Sequence, residues 1–165
     1  MQKQIKILLT LLTALILAVS CAENNPNTPK TKEQMLQQKW QGNDTTWGIS
    51  QYIITDSKFD SLYEGSVNYS VSISDIAWNS DNKSGIIYGQ YTVNNNNKDY
   101  VGKWYAIAFK DLTETTTHIC GASKDLGNNS YDYAPTDTLE EAKTKFTIDN
   151  GYFTFGDGTA CTVVK

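Results

Sequence analysis

From Trp40 to the C-terminus the chain alternates apolar and polar residues with a period of two, in runs rich in Tyr, Ile, Val and Thr. That pattern belongs to half-buried antiparallel strands, with one face on a core and the other in water. It is clearest over residues 65–73, where Val67, Tyr69, Val71 and Ile73 interleave with Asn68, Ser70 and Ser72. Further strands are predicted at 46–55, 59–63, 85–93, 103–110, 115–122, 152–155 and 159–164. Turn-forming stretches separate them: Asp56-Ser57, 79–83, the four asparagines 94–97 within 94–99, 127–130 and Asn150-Gly151. One segment breaks the period. Asp137 or Thr138 can cap a helix over 138–146, with Glu140 and Glu141 in its first turn, Leu139, Ala142 and Phe146 on one side, and Lys143 and Lys145 near its end. Seven or eight short strands, with one short helix before the last hairpin, predict a mainly β protein built as a small antiparallel meander barrel.

The pattern ahead of Trp40 is different. Lys3 and Lys6 precede an apolar run, Ile7 to Val19, interrupted only by Thr10 and Thr13. A run of about 13 residues falls short of the roughly 20 that span a bilayer, and it ends on Ala18 and Ser20, so residues 1–20 read as a secretory signal peptide. From Ala22 to Lys39 the chain is polar, with Pro26 and Pro29 and no apolar residue between Ala22 and Met35. It reads as a tether, within which Lys32 to Gln38 has the makings of one or two helical turns. The expected organisation is a leader (1–20), residue 21 with a flexible tether (21–39), and a β-barrel domain (40–165).

Composition narrows the chemistry. The 14 basic residues are all lysine, there is one histidine, and there are three cysteines among 165 residues. Such a chain lacks the stock for a Cys-rich zinc site, a His-centred catalytic constellation or Arg-based phosphate recognition. Without residues 1–20, 12 lysines face 18 acidic side chains, a net charge of −6. An acidic, Arg-free surface is repelled by nucleic acid and attracts basic partners at low salt. His118 and Cys120 share a strand face, but no third ligand accompanies them and no motif surrounds them, so neither a metal site nor a catalytic residue is assigned. The carboxylates sit mostly in turns and no spacing selects a glycosidase pair. No cofactor is implied. In an exported chain Cys120 and Cys161 are candidates for a disulfide that would close a loop of about 40 residues. The alternative, two small hydrophobes in neighbouring strands, stays open. Four tryptophans and ten tyrosines are many for a domain of this size. Trp47, Trp78 and Trp104 are the candidates for lining a ligand cavity, against the alternative that Trp47 and Trp104 fill the core.

Three resemblances add to this reading. Ala18-Val19-Ser20-Cys21 resembles a bacterial lipobox in a relaxed form, with Leu17 one place early, which implies cleavage before Cys21 and a diacylglyceryl thioether on its sulfur. The run GIIYGQYTVNNNNKDYVGKWYAIAFKDLTETTTHICGA, followed by DTLEEAKTKFTIDNGYF, resembles small lipoproteins of spirochaetes, treponemes in particular. That likeness covers about residues 84–155 and implies a lipocalin-like (calycin-type) barrel in the cell envelope, held to the inner or outer membrane and either periplasmic or surface-exposed. It carries over no catalytic residue. Ser84, Gly85 and Tyr88 match the Ser-Gly-x-x-Tyr segment of the membrane-bound inhibitors of c-type lysozyme, whose second motif is missing here. Together these predict a lipid-anchored, non-enzymatic binding protein for a small apolar or amphipathic ligand. The alternative is a surface lipoprotein for a protein partner, such as a host factor or a basic hydrolase.

Overall fold

The computed structural model describes residues 29–44, 46 and 48–164. The leader 1–20, Cys21 and Trp47 lie outside the described residues. Eight strands close into one antiparallel barrel: β1 (Lys39–Gly42), β2 (Ser50–Ile54), β3 (Lys58–Tyr63), β4 (Ser66–Trp78), β5 (Gly85–Asn94), β6 (Trp104–Lys110), β7 (Thr116–Gly121) and β10 (Ala160–Val163). Each strand pairs with the next in sequence as far as β7, and β10 closes the ring between β7 and β1. The meander read from the sequence is therefore the fold, and closure leaves the barrel sheet no unpaired edge. Every barrel strand finds both neighbours within residues 39–163, so the barrel is complete without the leader.

Inward side chains follow from the register. Ile54 lies across from Phe59, Phe59 from Val71, Ile87 from Ile107 and Phe109 from Ile119, and all are buried. Trp40, fully buried, and Tyr52 add large rings on the β1–β2 side. The middle of the barrel is thus packed solid. The thirteen-residue β4 slips register twice against β5, between Ser70 and Val71 and between Ile73 and Asp75, which lets one long strand bend around the barrel.

One end is closed. Loops 55–57, 79–84 and 111–115 lie there, together with α1 (Lys32–Leu36). Thr31 and Gln34 form a reciprocal capping box at the start of α1. Leu36 is fully buried, and its carbonyl accepts a 3.0 Å hydrogen bond from Trp40 Nε1. Lys32 lies over the Trp78 ring, 4.8 Å from its centroid, and reaches Asn82 Oδ1 at 2.8 Å. The ordered fold thus starts ahead of Trp40: the second half of the expected tether is a plug. Among the described residues no helix is long and apolar enough to cross a membrane.

Between β7 and β10 the chain leaves the barrel. It forms a small hairpin, β8 (Lys124–Gly127) and β9 (Ser130–Asp132), and then α2 (Leu139–Lys145), which matches the helix expected at 138–146. Thr138 and Glu141 supply a second capping box. α2 lies on the outer face of β5 and β6: Ala142 and the following Phe146 are buried, Tyr88 Oη donates to the Phe146 carbonyl at 3.1 Å, and Lys143 pairs with Asp75 at 2.7 Å. The strand expected at 152–155 does not form. Those residues run as irregular chain, with Tyr152 and Phe153 buried by their side chains while the Tyr152 carbonyl accepts from Ser123 N–H.

Candidate functional site

The end opposite α1 is open, and its walls come from three strands expected from the sequence together with the asparagine turn at 94–99 and the chain at Tyr100 and Tyr133. The asparagine run folds back on itself. Asn94 Oδ1 accepts from the Asn96 and Asn97 amides at 3.1 and 2.9 Å, and Asn97 caps a short 3-10 turn over Lys98–Tyr100. Asn95 Nδ2 donates to the Val67 carbonyl at 2.6 Å and Asn96 Nδ2 to Asn68 Oδ1 at 2.9 Å, tying this loop to the start of β4. Gly102, at φ +84°, takes the left-handed conformation that returns the chain into β6.

Between these walls lies a cavity of about 270 Å³. Five tyrosines (Tyr69, Tyr91, Tyr100, Tyr105, Tyr133) and four asparagines (Asn68, Asn94, Asn96, Asn97) line it. The rings form a network: Tyr91 stacks on Tyr105 at 4.8 Å and on Tyr100 at 6.2 Å, and Tyr69 meets Tyr91 and Tyr105 edge-on. Tyr105 Oη donates to the Ala122 carbonyl at 3.0 Å. A Cβ on Gly121 would lie 2.8 Å from Tyr105 Oη and 3.4 Å from Tyr69 Oη, so glycine there makes room for the floor of the site. Burial pushes the hydroxyls of Tyr69, Tyr91 and Tyr105 well above the usual tyrosine range, and neighbouring tyrosines add to it. Those three hydroxyls therefore stay protonated at neutral pH. Below it Phe59, in ring contact with Tyr69 at 6.0 Å, begins the packed core, so the cavity is a shallow cup.

The residues singled out from the sequence do not converge. Trp78 faces inward at the closed end, edge-on to Phe109 at 4.9 Å. Trp104 is one residue out of phase with inward Tyr105 and lies on the outer face, its backbone bridged to Thr136. Trp47 is outside the described residues. The three tryptophans are not a described ligand site, and tyrosines line the cup instead. Their abundance was visible in the sequence; their convergence depends on register.

Cys120 and Cys161 are both free thiols. Cys161 pairs with inward Thr117 and is buried, whereas Cys120 lies three positions further along β7 with the opposite parity. Side chains on opposite faces cannot be bridged at disulfide distances, so the alternative of two separate thiols is the one the fold realises. Burial pushes Cys161 up to about 11 and also raises Cys120. His118 Nδ1 sits 3.0 Å from Thr159 Oγ1, and Cys120 Sγ donates to backbone carbonyls, so the two do not form a unit. Among the described residues no group of three or more His, Cys, Asp or Glu is placed to hold a metal. A wider depression of about 470 Å³ runs along α2, past Thr136, Glu140 and Thr144. Two of its charged groups are committed to the fold: Glu141 accepts from the Asp137 and Thr138 amides, and Lys145 binds Asp132 and the Ala134 carbonyl.

Comparison with family models, with curated proteins and with solved structures found no match for this chain. The cup thus has to be read from its own chemistry. Around it stand exposed apolar side chains: Ile49, Tyr63, Val67 and Val101 near the strand ends and loops of the open end, and Leu126, Tyr131 and Tyr133 on and beside the β8–β9 hairpin. The Ser84-Gly85-Tyr88 match lies elsewhere. Ser84 is bound to Asp81 in a closed-end turn, Gly85 packs against Phe109, and Tyr88 is buried under α2, so these residues present nothing to a partner.

Proposed function

We propose that this chain is an exported, lipid-anchored protein of the bacterial cell envelope that catalyses no reaction and binds a small amphipathic ligand in the cup at the open end of its barrel. One observation carries the reading: a concave site lined by five tyrosines and four asparagines, on a closed barrel. Aromatic walls supply contact area and the polar groups fix orientation. A wholly apolar ligand fits less well, since the barrel interior below the cup is filled and the cup is rich in polar atoms. Export and anchoring rest on the leader and on the lipobox likeness at Cys21. Envelope location rests also on the likeness to spirochaete lipoproteins.

A second reading has its own support. The exposed apolar rim, with Tyr131 at 53% and Leu126 at 58% exposure, suits a protein partner that covers the open end. The two readings separate in one experiment. The Cys21→Ser chain from residue 21 onward is exposed to an extract of its own cells and weighed intact by native mass spectrometry. Added mass in the small-molecule range, lost in a Tyr105→Ala variant that stays folded, supports the cup. A bare mass together with a captured macromolecule supports the rim, and a bare mass alone sinks both.

A further inference from the structure

We infer that the ligand of the cup is a neutral saccharide, entering by its end; this rests on the binding reading above and names the chemistry of its ligand. Charge is the first argument. The lining consists of tyrosines and asparagines with no acidic or basic side chain; Lys103 is paired with Asp137, Glu64 accepts from the Ile49 amide, and Lys98, bonded to Asn95 Oδ1 at 2.7 Å, and Asp99 carry their charges on the loop outside the lining. A phosphate or carboxylate entering the cup would lose its hydration and meet no counter-charge, which is costly.

Ring geometry is the second argument. A flat aromatic ligand needs a free slot between two rings. Tyr91 is already stacked against Tyr105 at 4.8 Å and Tyr100 at 6.2 Å, both pairs close to parallel at interplanar angles of 25°, so these rings are engaged with one another. The accessible surface consists instead of Tyr133, which is 55% exposed, the outer part of Tyr100, and amides around the rim. Polyhydroxylated rings match this surface. Their C–H faces lie against the negative face of an aromatic ring, while their hydroxyls, each both donor and acceptor, satisfy amides and phenols. Asn94 Oδ1 is used by the backbone of its own loop, which fixes that buried side chain in the lining. Depth is the third argument. The packed core closes the cup from below, so a polymer cannot thread through and only a chain end or a short oligomer fits.

The test is a titration of the ¹⁵N-labelled Cys21→Ser chain from residue 21, followed through the side-chain amide signals of Asn68 and Asn94. The probes are neutral oligomers of glucose and of N-acetylglucosamine, with glucose 6-phosphate, indole and a short alkyl glycol as comparators. Saturable shifts confined to the cup with a neutral oligosaccharide are expected. Tyr133→Ala should weaken them by about tenfold or more, and Lys83→Ala, at the closed end, should leave them unchanged. If the phosphorylated sugar binds more tightly than glucose, or if only indole or the glycol shifts the cup, the saccharide assignment is overturned while the binding reading stands. If no probe shifts it and the extract experiment returns a bare mass, both fall together.

Discussion

Gly89 shows how little slack the barrel holds at single residues. A Cβ there would lie 2.1 Å from the Ser72 carbonyl oxygen and 2.6 Å from Val71 Cγ1, beside the second register slip of β4. Gly89→Ala therefore forces backbone to move, and overpacking of this kind costs about 1–3 kcal/mol or more. A denaturant midpoint unchanged from the parent would refute that placement. The thiols make a second residue-scale prediction. With Cys161 buried and raised to about 11, and Cys120 raised by burial, neither is a ready thiolate at neutral pH. Alkylation of the Cys21→Ser chain should be slow when folded and add two labels once unfolded without reductant, whereas a disulfide would leave it unlabelled. This is also the scale at which the sequence was least legible. Trp104 and Tyr105 are adjacent, one faces out and the other in, and a single residue of phase exchanges them. Alternation marks two faces but does not say which is the interior, and the slips in β4 alter the phase within one strand.

At the scale of elements, legibility followed the amount of apolar surface in each segment. α2 and the central strands carry enough periodic apolar positions to be read directly. α1 has only Met35 and Leu36, enough to suggest one or two helical turns at Lys32 to Gln38 but too little to set them apart from a flexible tether, and Leu36 is fully buried against the barrel end. Residues 152–155 mislead in the other direction: their aromatic rings serve side-chain burial, with Tyr152 edge-on to Phe146 at 5.2 Å and Phe155 edge-on to His118 at 6.5 Å, and no strand pairs with them. Leu36→Ala should cost about 2–5 kcal/mol, and Thr31→Ala, which removes the cap of α1, about 1 kcal/mol. A tether would return zero for both in chemical denaturation. The β8–β9 hairpin is held to α2 through Asp132, which accepts from the Tyr152 hydroxyl and from Lys145 at 3.1 Å. Partial burial raises the Asp132 carboxyl, but the hydrogen bonds from Tyr152, the Ala134 amide and Lys145 outweigh it and hold the group below its ordinary 3.8. A depressed acid contributes stability that is present above that value and lost as pH falls through the lower folded one. Tyr152 behaves oppositely. Burial and Asp132 push it up to about 12 from 10, so its contribution is intact below pH 10 and lost between pH 10 and about 12. Tyr52, raised to about 12 chiefly by burial, loses its contribution in the same window. Protection of the hairpin amides, corrected for the intrinsic exchange rate at each pH, should therefore fall below about pH 4, and Asp132→Asn should flatten that acid response.

At the scale of the whole molecule, the two ends of the barrel have separate duties. The chain enters at the closed end, where α1 seals the core, and the candidate site occupies the other. If Cys21 carries lipid, nine residues, 22–30, lie between it and Thr31 and span at most about 30 Å when extended. A tilted thirteen-residue strand such as β4 covers a comparable height along the barrel axis, about 30 Å. The link can only just run back along the barrel wall, and any slack leaves the closed end nearer the bilayer. The cup should therefore face away from the membrane that holds the protein, towards whatever lies across the adjoining space. Full-length lipidated protein in vesicles, labelled in turn at Asn82→Cys on the closed end and Val101→Cys on the rim, reads this directly with a quencher dissolved in the lipid. Stronger quenching at position 82 is expected. Stronger quenching at position 101 would turn the apolar rim onto the bilayer and make lipid its partner. It would also remove the geometric reason for expecting the ligand from the far side.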